Sequence, residues 1–507
     1  MGIRKELVGA SLVVILWSGL SKICGLIRDA MVAFFLGTSG TADAVYLAFQ
    51  LPNLFRRFYG DGGFSSVLVP VLSQMPDKDR KNAFLSRIFL VMGAMGAVAA
   101  LLAVFFAKPL VSVFFPGVIR DATALAVDAT LLRLMSAYLF FASLAMVCKG
   151  MFESAKIFSV SAVTSLLFNL TIIIFLLFFR NILSNPARAF AVGVAVGGAI
   201  QFLTHLLFLK RVSFRFSWGK SHKIAVSPLF RQAVPIMLAT GVFQLNMLVG
   251  RSAASFLGTG QVSSLDYASR IIEIVMGLAV LPVASTLLPH ISPLAASGDK
   301  NGSAKLTGFS MKLVIIATIP ATVGLYILAK PISALLFQRG KFGAGSTLLT
   351  ADALGYFALG LLFLGLFKVL AQVCFSFHDT TLPFRAAALA FVVNLIFCII
   401  LSGPMKNGGI ALSATIASLA GVGVLIVGIR HHLVLAIKSL TATLLKTGIA
   451  AALMAGGISF LSGRISGKFS VLFLIGTGIV IYVLALAVLM MGEWKEMRTV
   501  IKGGQNR

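Results

Sequence analysis

The stretch from Phe469 to Met491, FSVLFLIGTGIVIYVLALAVLMM, contains no charged residue. As a helix rising roughly 1.5 Å per residue it extends about 35 Å, enough to cross a hydrocarbon core of about 30 Å. Lipid offers the backbone no hydrogen-bond partners, so a spanning segment must be a helix or part of a closed barrel. The run is continuous rather than alternating, which decides for the helix.

Working outward, similar runs recur along all 507 residues, at about 7–35, 42–72, 84–112, 124–152, 157–180, 187–210, 226–256, 262–292, 308–337, 345–377, 383–402, 408–430, 440–462 and 468–491. The implied fold class is an all-α polytopic membrane protein of about 14 transmembrane helices. Hydrophobic residues make up 58% of the chain and charged ones 12%, a proportion no water-facing surface could hide. Cys24, Cys148, Cys374 and Cys398 are scattered through apolar runs without a CxxC or Cys/His pair, so they read as packing residues rather than a disulfide framework or metal site. The first stretch has Arg28-Asp29 where a signal's apolar run should continue, and reads as a retained first helix.

A net charge of +27 would suit a nucleic-acid binder, but the basic residues are spread among short loops between apolar runs, with no long basic tail or stripe. No nucleic-acid partner is expected, and the lipid bilayer is the surrounding medium. Alternate loops differ in charge. One set holds Arg4/Lys5, Lys78/Arg80/Lys81, Lys149/Lys156, Lys210/Arg211/Arg215/Lys220/Lys223, Lys300/Lys305, Arg385, Arg430/Lys438 and Lys495/Arg498/Lys502. The other set is sparse, and the loops at 38–41 and 257–263 carry no charge. By the positive-inside rule both termini are cytoplasmic, which requires an even number of spans.

An internal repeat is also present. Phe35-Leu36-Gly37-Thr38 recurs as Phe256-Leu257-Gly258-Thr259, and Leu68-Val69-Pro70-Val71-Leu72-Ser73 is echoed by Leu287-Leu288-Pro289-His290-Ile291-Ser292. Phe152 precedes Asn169 by 17 residues, as Phe377 precedes Asn394. Six spans separate each pair, so the copies share one orientation. Three parts follow: a first six-helix lobe at 1–215, a second at 216–436, and two further helices with a cytoplasmic tail at 437–507. Such repeats are a transporter signature with the substrate site between lobes.

A charge near the bilayer centre costs roughly 2.5–3.5 kcal/mol on insertion scales, so it faces a cavity or a partner. Lys22, Arg28 and Asp29 fall in the first span, Asp43, Arg56, Arg57 and Asp61 in the second, Arg251 in the seventh, and Asp266, Arg270 and Glu273 in the eighth. Asp266, Arg270 and Glu273 share one helical face, with Ser269 beside it. Lys22 and Arg28 can border one cavity if the helix bends at Gly25, and Asp43 and Arg56 if the second helix breaks at Pro52. For Asp29, Arg57 and Arg251, structural pairing or snorkelling is the favoured reading. For Arg28, Arg56 and Arg270 it is contact with an anionic substrate, because a guanidinium fork grips phosphate at two points where lysine acts as a point charge.

The strings Gly25-Leu26-Ile27-Arg28-Asp29-Ala30, Ala42-Asp43-Ala44, Phe49-Gln50-Leu51-Pro52-Asn53-Leu54-Phe55-Arg56-Arg57, Asp266-Tyr267-Ala268-Ser269-Arg270 and Phe337-Gln338-Arg339-Gly340-Lys341 resemble segments of the MurJ-type lipid II flippases, within the multidrug/oligosaccharidyl-lipid/polysaccharide exporter superfamily. The resemblance spans essentially the whole chain. It implies a two-lobe carrier that moves undecaprenyl-pyrophosphate-linked peptidoglycan precursor, lipid II, from the inner to the outer leaflet of the bacterial cytoplasmic membrane by alternating access. It also implies substrate contacts at Arg28, Arg56, Arg270 and Lys22, and acidic or gating positions at Asp43, Asp266, Glu273 and Ser269, the last standing where the family often has an acid. The last two helices resemble those that hold the lipid tail, and cell-wall synthesis machinery is the implied protein partner. Some family members use sodium through an acid in the seventh helix, but no Asp or Glu occurs between Glu153 and Asp266. No cofactor is expected, and coupling is left between the membrane potential and a monovalent ion.

The rivals are a flippase for another polyprenyl-linked oligosaccharide, a drug or cation antiporter of the same superfamily, and an intramembrane enzyme. A cationic drug wants buried carboxylates, whereas these buried charges are mostly basic. His205, His222, His290, His378, His431 and His432 form no HExxH motif and no GxSxG occurs, which disfavours an enzyme. The His431-His432 pair in a basic loop reads as solvated.

Overall fold

A computed structural model describes residues 2–60, 64–73, 75, 77–155, 157–212, 214–217, 229, 231, 244–465, 467 and 469–489. Every regular element among the described residues is helical, with no strand among them. Most of the seventh expected span, Asp61, Lys156, Lys220, His222, Lys223 and the basic residues after 489 lie outside them. The chain is an all-α polytopic membrane protein. Among the described residues, 8 helices are long and apolar enough to cross a membrane, or up to 10 if each bent pair counts as one span.

The first compact unit comprises Met1–Asp266 with Gln338–Ser346. Helix α1 (Gly2–Leu36) ends at Gly37, which adopts φ 61° and donates its N–H to Ala33 O at 2.8 Å, a left-handed stop that glycine accepts without strain. The helical run is continuous through Gly25. The Asn169 amide packs beside it, 3.8 Å from where a Cβ would sit. Helix α2 (Gly40–Gly60) includes Pro52 within its continuous helical run. A proline forfeits one ladder bond, a loss that neighbouring helices in a membrane bundle can absorb. Helix α3 (Phe64–Ser73) then carries Leu68 and Leu72 into a core shared with α4 (Lys78–Phe105) and α7 (Ala137–Ser154), where Ile88, Val147 and Phe152 are fully enclosed. Between these lie α5 (Ala107–Phe114) and α6 (Ala122–Met135). The unit is completed by α8 (Ser159–Ile174), α9 (Pro186–Phe208) and a helical stretch over 244–254.

The second unit comprises Tyr267–Phe337 with Thr347–Arg507. Helix α10 (Gln261–Ala279) begins in the first unit and continues into α11 (Leu281–Ala296) through a 42° bend. Then come α12 (Lys300–Ile327) and α13 (Ala329–Phe337), and α14 (Ala344–Leu359) joined to α15 (Leu361–Ser376) through a 45° bend. The 48-residue α16 (Thr381–Gly428) would measure about 70 Å if straight, more than twice the apolar thickness of a bilayer. It is a hairpin. Lys406 is non-helical at φ 49°, ψ −130°, and Ser413 Oγ donates to Asn394 Oδ1 at 2.9 Å across 19 residues that a straight helix would hold about 28 Å apart. The two arms match the spans expected at 383–402 and 408–430. Helices α17 (Ile437–Ser462) and α18 (Ser470–Leu489) close the chain, with Tyr482 OH donating to Ile316 O at 2.7 Å.

The few acids outside the spans have a common use. Asp77, Asp121, Asp299 and Asp379 each accept N–H bonds from the first turn of the helix that follows, satisfying donors that would otherwise be orphaned. His432 departs from its expected solvated state. Its Nε2 lies 3.0 Å from Asp379 Oδ2 and its ring stacks on Phe377, because the 429–432 turn brings it beside the Asp379 cap. All four cysteines are buried.

Candidate functional site

Arg28 sits on α1 at 5% exposure, where a lone guanidinium would be costly. Its Nε and Nη2 donate to Asp29 Oδ1 at 3.0 and 2.8 Å, and its Nη1 to Asn169 Oδ1 on α8 at 2.9 Å. The group also lies 5.7 Å from the Phe49 ring centroid. A guanidinium has five N–H bonds. These contacts use three and leave one on each Nη for a ligand. Asp29 and Asn169 therefore fix the fork in place without exhausting it. The Asn169 amide is itself set by donation from Nδ2 to Ser165 O at 3.1 Å and Ser21 O at 3.4 Å. Lys22, further back on α1, is exposed.

Arg56 on α2 donates from Nε and Nη2 to Asn53 Oδ1 at 3.3 and 3.0 Å. It lines a cavity of about 280 Å³ that also receives Lys149 and Glu153 from α7, Ser161 from α8, and Gln201 and His205 from α9. Arg57 points elsewhere, donating to Gln244 Oε1 at 3.3 Å and approaching Met247 Sδ at 3.2 Å.

Asp43, at 8% exposure, accepts from the backbone N–H of Gly260 at 2.5 Å and of Ser263 at 2.7 Å. A carboxylate from α2 thus caps the N-terminus of α10, where orphan donors and the helix dipole both favour a negative charge. The two uncharged repeat loops meet here. A side chain on Gly260 would sit 2.7 Å from Thr38 O, and one on Gly37 would sit 2.5 Å from Lys341 O. Lys341 N donates to Phe34 O at 2.9 Å, and the hydroxyls of Thr38 and Ser346 are 2.7 Å apart. Matching repeat phenylalanines each carry an arginine, Arg180 over Phe35 at 4.5 Å and Arg120 over Phe256 at 5.2 Å.

The acidic-basic stripe of the eighth span divides between partners. Asp266 is forked by Arg251, with Nε to Oδ2 at 3.1 Å and Nη2 to Oδ1, while Arg270 Nη1 donates to Glu273 Oε2 at 2.7 Å. Arg270 and Glu273 remain 29% and 36% exposed. Ser269, half-buried, Arg270 and Glu273 belong to the second unit, and Arg28, Arg56, Lys22, Asp43 and Asp266 to the first. Sequence reading overlooked Asn169 as a partner for Arg28, although a lone amide in the apolar α8 was a usable signal. It also overlooked the Lys149, Glu153, Gln201 and His205 cavity, and Asp128 on α6, which is buried with no donor to Oδ1 among the described residues. Among those residues no group of His, Cys, Asp and Glu could hold a metal ion.

The family model described as lipid II flippase MurJ matches residues 32–480. A protein of Treponema pallidum (strain Nichols), named probable lipid II flippase MurJ, is 30% identical over 460 residues, covering 88% of this chain and 86% of its own. In overall structure the chain matches a lipid II flippase MurJ in an inward closed conformation with a TM-score of 0.83 at 24% identity, covering 96% of this chain and 99% of the other. A multidrug-resistance MATE transporter in an inward-facing conformation matches with a TM-score of 0.67 at 13% identity, covering 85% and 98%.

Proposed function

The chain belongs to the lipid II flippase MurJ family, and we propose that it moves lipid II, the undecaprenyl-pyrophosphate-linked precursor of peptidoglycan, from the inner to the outer leaflet of the bacterial cytoplasmic membrane by alternating access. Both termini are cytoplasmic in this reading, and cell-wall synthesis enzymes take the delivered precursor. Arg28 and Arg56 in the first unit and Arg270 in the second grip the diphosphate during the cycle, with Lys22 adding a point charge at the approach. Asp43 and Asp266 hold the uncharged loops together while the carrier is closed on their side, and Ser269 and Glu273 set the environment of Arg270.

One observation carries the reading most directly: Arg28 is buried and tethered at three of its N–H bonds, yet keeps one on each Nη. An oriented fork loses less entropy on meeting a phosphate than a free side chain does. A drug or cation carrier has no use for a buried guanidinium presented in this way. A flippase for another polyprenyl-linked sugar shares the need for a diphosphate grip, and family membership is what favours lipid II. The driving force we propose is the membrane potential. Outward passage of an anion through an inside-negative potential gains roughly 2.3 kcal/mol per charge per 100 mV. A monovalent ion is the alternative, recognised by a sodium or potassium dependence that survives collapse of the potential.

The test is complementation of a flippase-depleted bacterium, scored by lipid II exposed on the outer leaflet. The wild-type chain restores exposure, and Arg28→Ala, Arg56→Ala and Arg270→Ala do not, although each inserts. Wild-type exposure from all three variants would overturn the assignment.

A further inference from the structure

The internal repeat extends through two whole elements of the fold. Asp77 and Asp299, 222 positions apart, each cap a 28-residue helix, α4 and α12. Each helix stops at one residue outside helical geometry, Phe106 (φ −105°, ψ 24°) and Leu328 (φ −97°, ψ 16°). The N–H of Phe106 reaches back to Leu102 O at 2.8 Å, and that of Leu328 to Gly324 O at 2.9 Å. A short helix follows at once, and both open Ala-Lys-Pro, α5 from Ala107 and α13 from Ala329. Lys108 and Lys330 are therefore equivalent, and both are exposed and in no ion pair among the described residues. A lysine in the first turn works against the helix dipole, so neither is there to stabilise its helix.

Their depth follows from α4. No residue from Ile88 to Ala107 is charged, and those 20 residues rise about 30 Å, the thickness of the hydrocarbon core. Arg87 and Lys108 thus stand at opposite interfaces, and the exposed rings of Phe105 and Phe106 beside Lys108 face acyl chains. Arg133 on α6 reaches the same break. Its Nε donates at 3.1 Å to Val104 O, in the last turn of α4, where carbonyls lack an N–H partner of their own helix. That bond orients the guanidinium and leaves both Nη groups without a partner among the described residues. In the second unit the residue equivalent to Val104 is Tyr326, which is exposed, and the equivalent of Arg133 is Gly355. A Cβ on Gly355 would lie 3.6 Å from the Tyr326 ring, so the tyrosine covers the arginine's place and offers a hydroxyl instead. Cations without acids, set at the interface beside lipid-facing rings, are complementary to a headgroup phosphate. A choline headgroup brings a cation of its own, so a net anionic headgroup suits them better. We infer that each unit binds an anionic glycerophospholipid at its helix break, through Lys108 and Arg133 in the first and Lys330 and the Tyr326 hydroxyl in the second. Both sites lie in the leaflet away from Lys78, the outer one in the proposed orientation, and neither depends on what the chain carries.

The experiment uses the full chain in nanodiscs of mixed phosphatidylcholine and phosphatidylglycerol. Its three tryptophans are replaced by phenylalanine, and one reporter is placed at either of two equivalent positions, Phe105→Trp or Ile327→Trp. Bromine on the acyl chains of one lipid or the other quenches a tryptophan which that lipid touches, so the two quenching levels give the preference at each break. Phosphatidylglycerol is expected to be preferred about fivefold or more at both reporters, the effect of one cation beside an anionic headgroup. Lys108→Met with Arg133→Met removes the preference at the first reporter and spares the second, and Lys330→Met with Tyr326→Phe does the reverse. Lys108→Met alone, which breaks no ion pair among the described residues, lowers the first preference about twofold or more. Arg28→Ala changes neither, which separates these sites from the diphosphate grip. Equal quenching by the two lipids at a reporter would overturn the site in that unit. So would a preference that the unit's own variants leave in place or that Arg28→Ala abolishes.

Discussion

Removing the Asp43 carboxylate tests whether α2 holds the first turn of α10 through its cap. In the native chain Asp43 accepts the Gly260 and Ser263 N–H bonds at 2.5 and 2.7 Å, out of contact with water. Hydrogen bonds to a charged group contribute roughly 1.5–3 kcal/mol each. Opening the loop lets water recover part of this, so Asp43→Ala should lower the local opening free energy by about 2–3 kcal/mol in total. At 1.4 kcal/mol per factor of ten, that is a rise of roughly 30- to 150-fold in exchange of those two amides. Asp43→Asn keeps one acceptor oxygen and turns a donor toward the other N–H, so its rise should be roughly 5- to 12-fold, about half the free energy. Hydrogen exchange read at residue resolution on the nanodisc-embedded protein makes the measurement, with amides inside α12 as an unaffected control. Wild-type exchange at Gly260 and Ser263 in Asp43→Ala would refute the reasoning. The packing of Val262 and Leu265, both fully enclosed, would then be what holds the turn.

Two further outcomes follow from the ion pairs. Arg251→Met or Asp266→Asn alone should lower the unfolding free energy by about 2–3 kcal/mol, since each removes one half of a mostly buried ion pair, while Arg251→Met with Asp266→Leu should recover most of the loss in thermal unfolding. Outside the spans, partial burial raises the Asp379 carboxyl, but hydrogen bonds from His432 and from the Leu382 and Thr381 N–H groups outweigh it and hold the group below the usual carboxylate range. A depressed folded value means its stabilisation is complete above about pH 4, the unfolded value, and is lost as pH falls through the folded one. Thermal midpoints should therefore drop more steeply below about pH 4 in the wild type than in Asp379→Asn, and equal slopes would remove Asp379 as a contributor.

The residues show why some features were legible from the chain alone and others were not. Span positions were legible because each depends on a local length of apolar sequence set against a fixed bilayer thickness. The hairpin in α16 was legible for the same reason, as two spans separated by Gly403-Pro404. The partners of the buried charges were not. Periodicity put Asp266, Arg270 and Glu273 on one face, yet Asp266 is taken by Arg251, fifteen residues away and on the preceding helix. The neighbour of Gly25 was not legible either, since only packing brings the Asn169 amide of α8 beside it.

By itself, then, the sequence determined that this is a multi-pass helical membrane protein with basic residues at depths where charge is expensive, and its motifs placed the family. Both are properties of short segments and of their free energy in lipid. Tertiary structure alone decided that Arg28 is held by Asn169 on α8 with donors to spare, that Asp43 caps α10, and that Arg56, Lys149, Ser161 and His205 share a cavity. Those pairings join residues up to 220 positions apart, and no local rule chooses among the donors and acceptors that packing brings within reach.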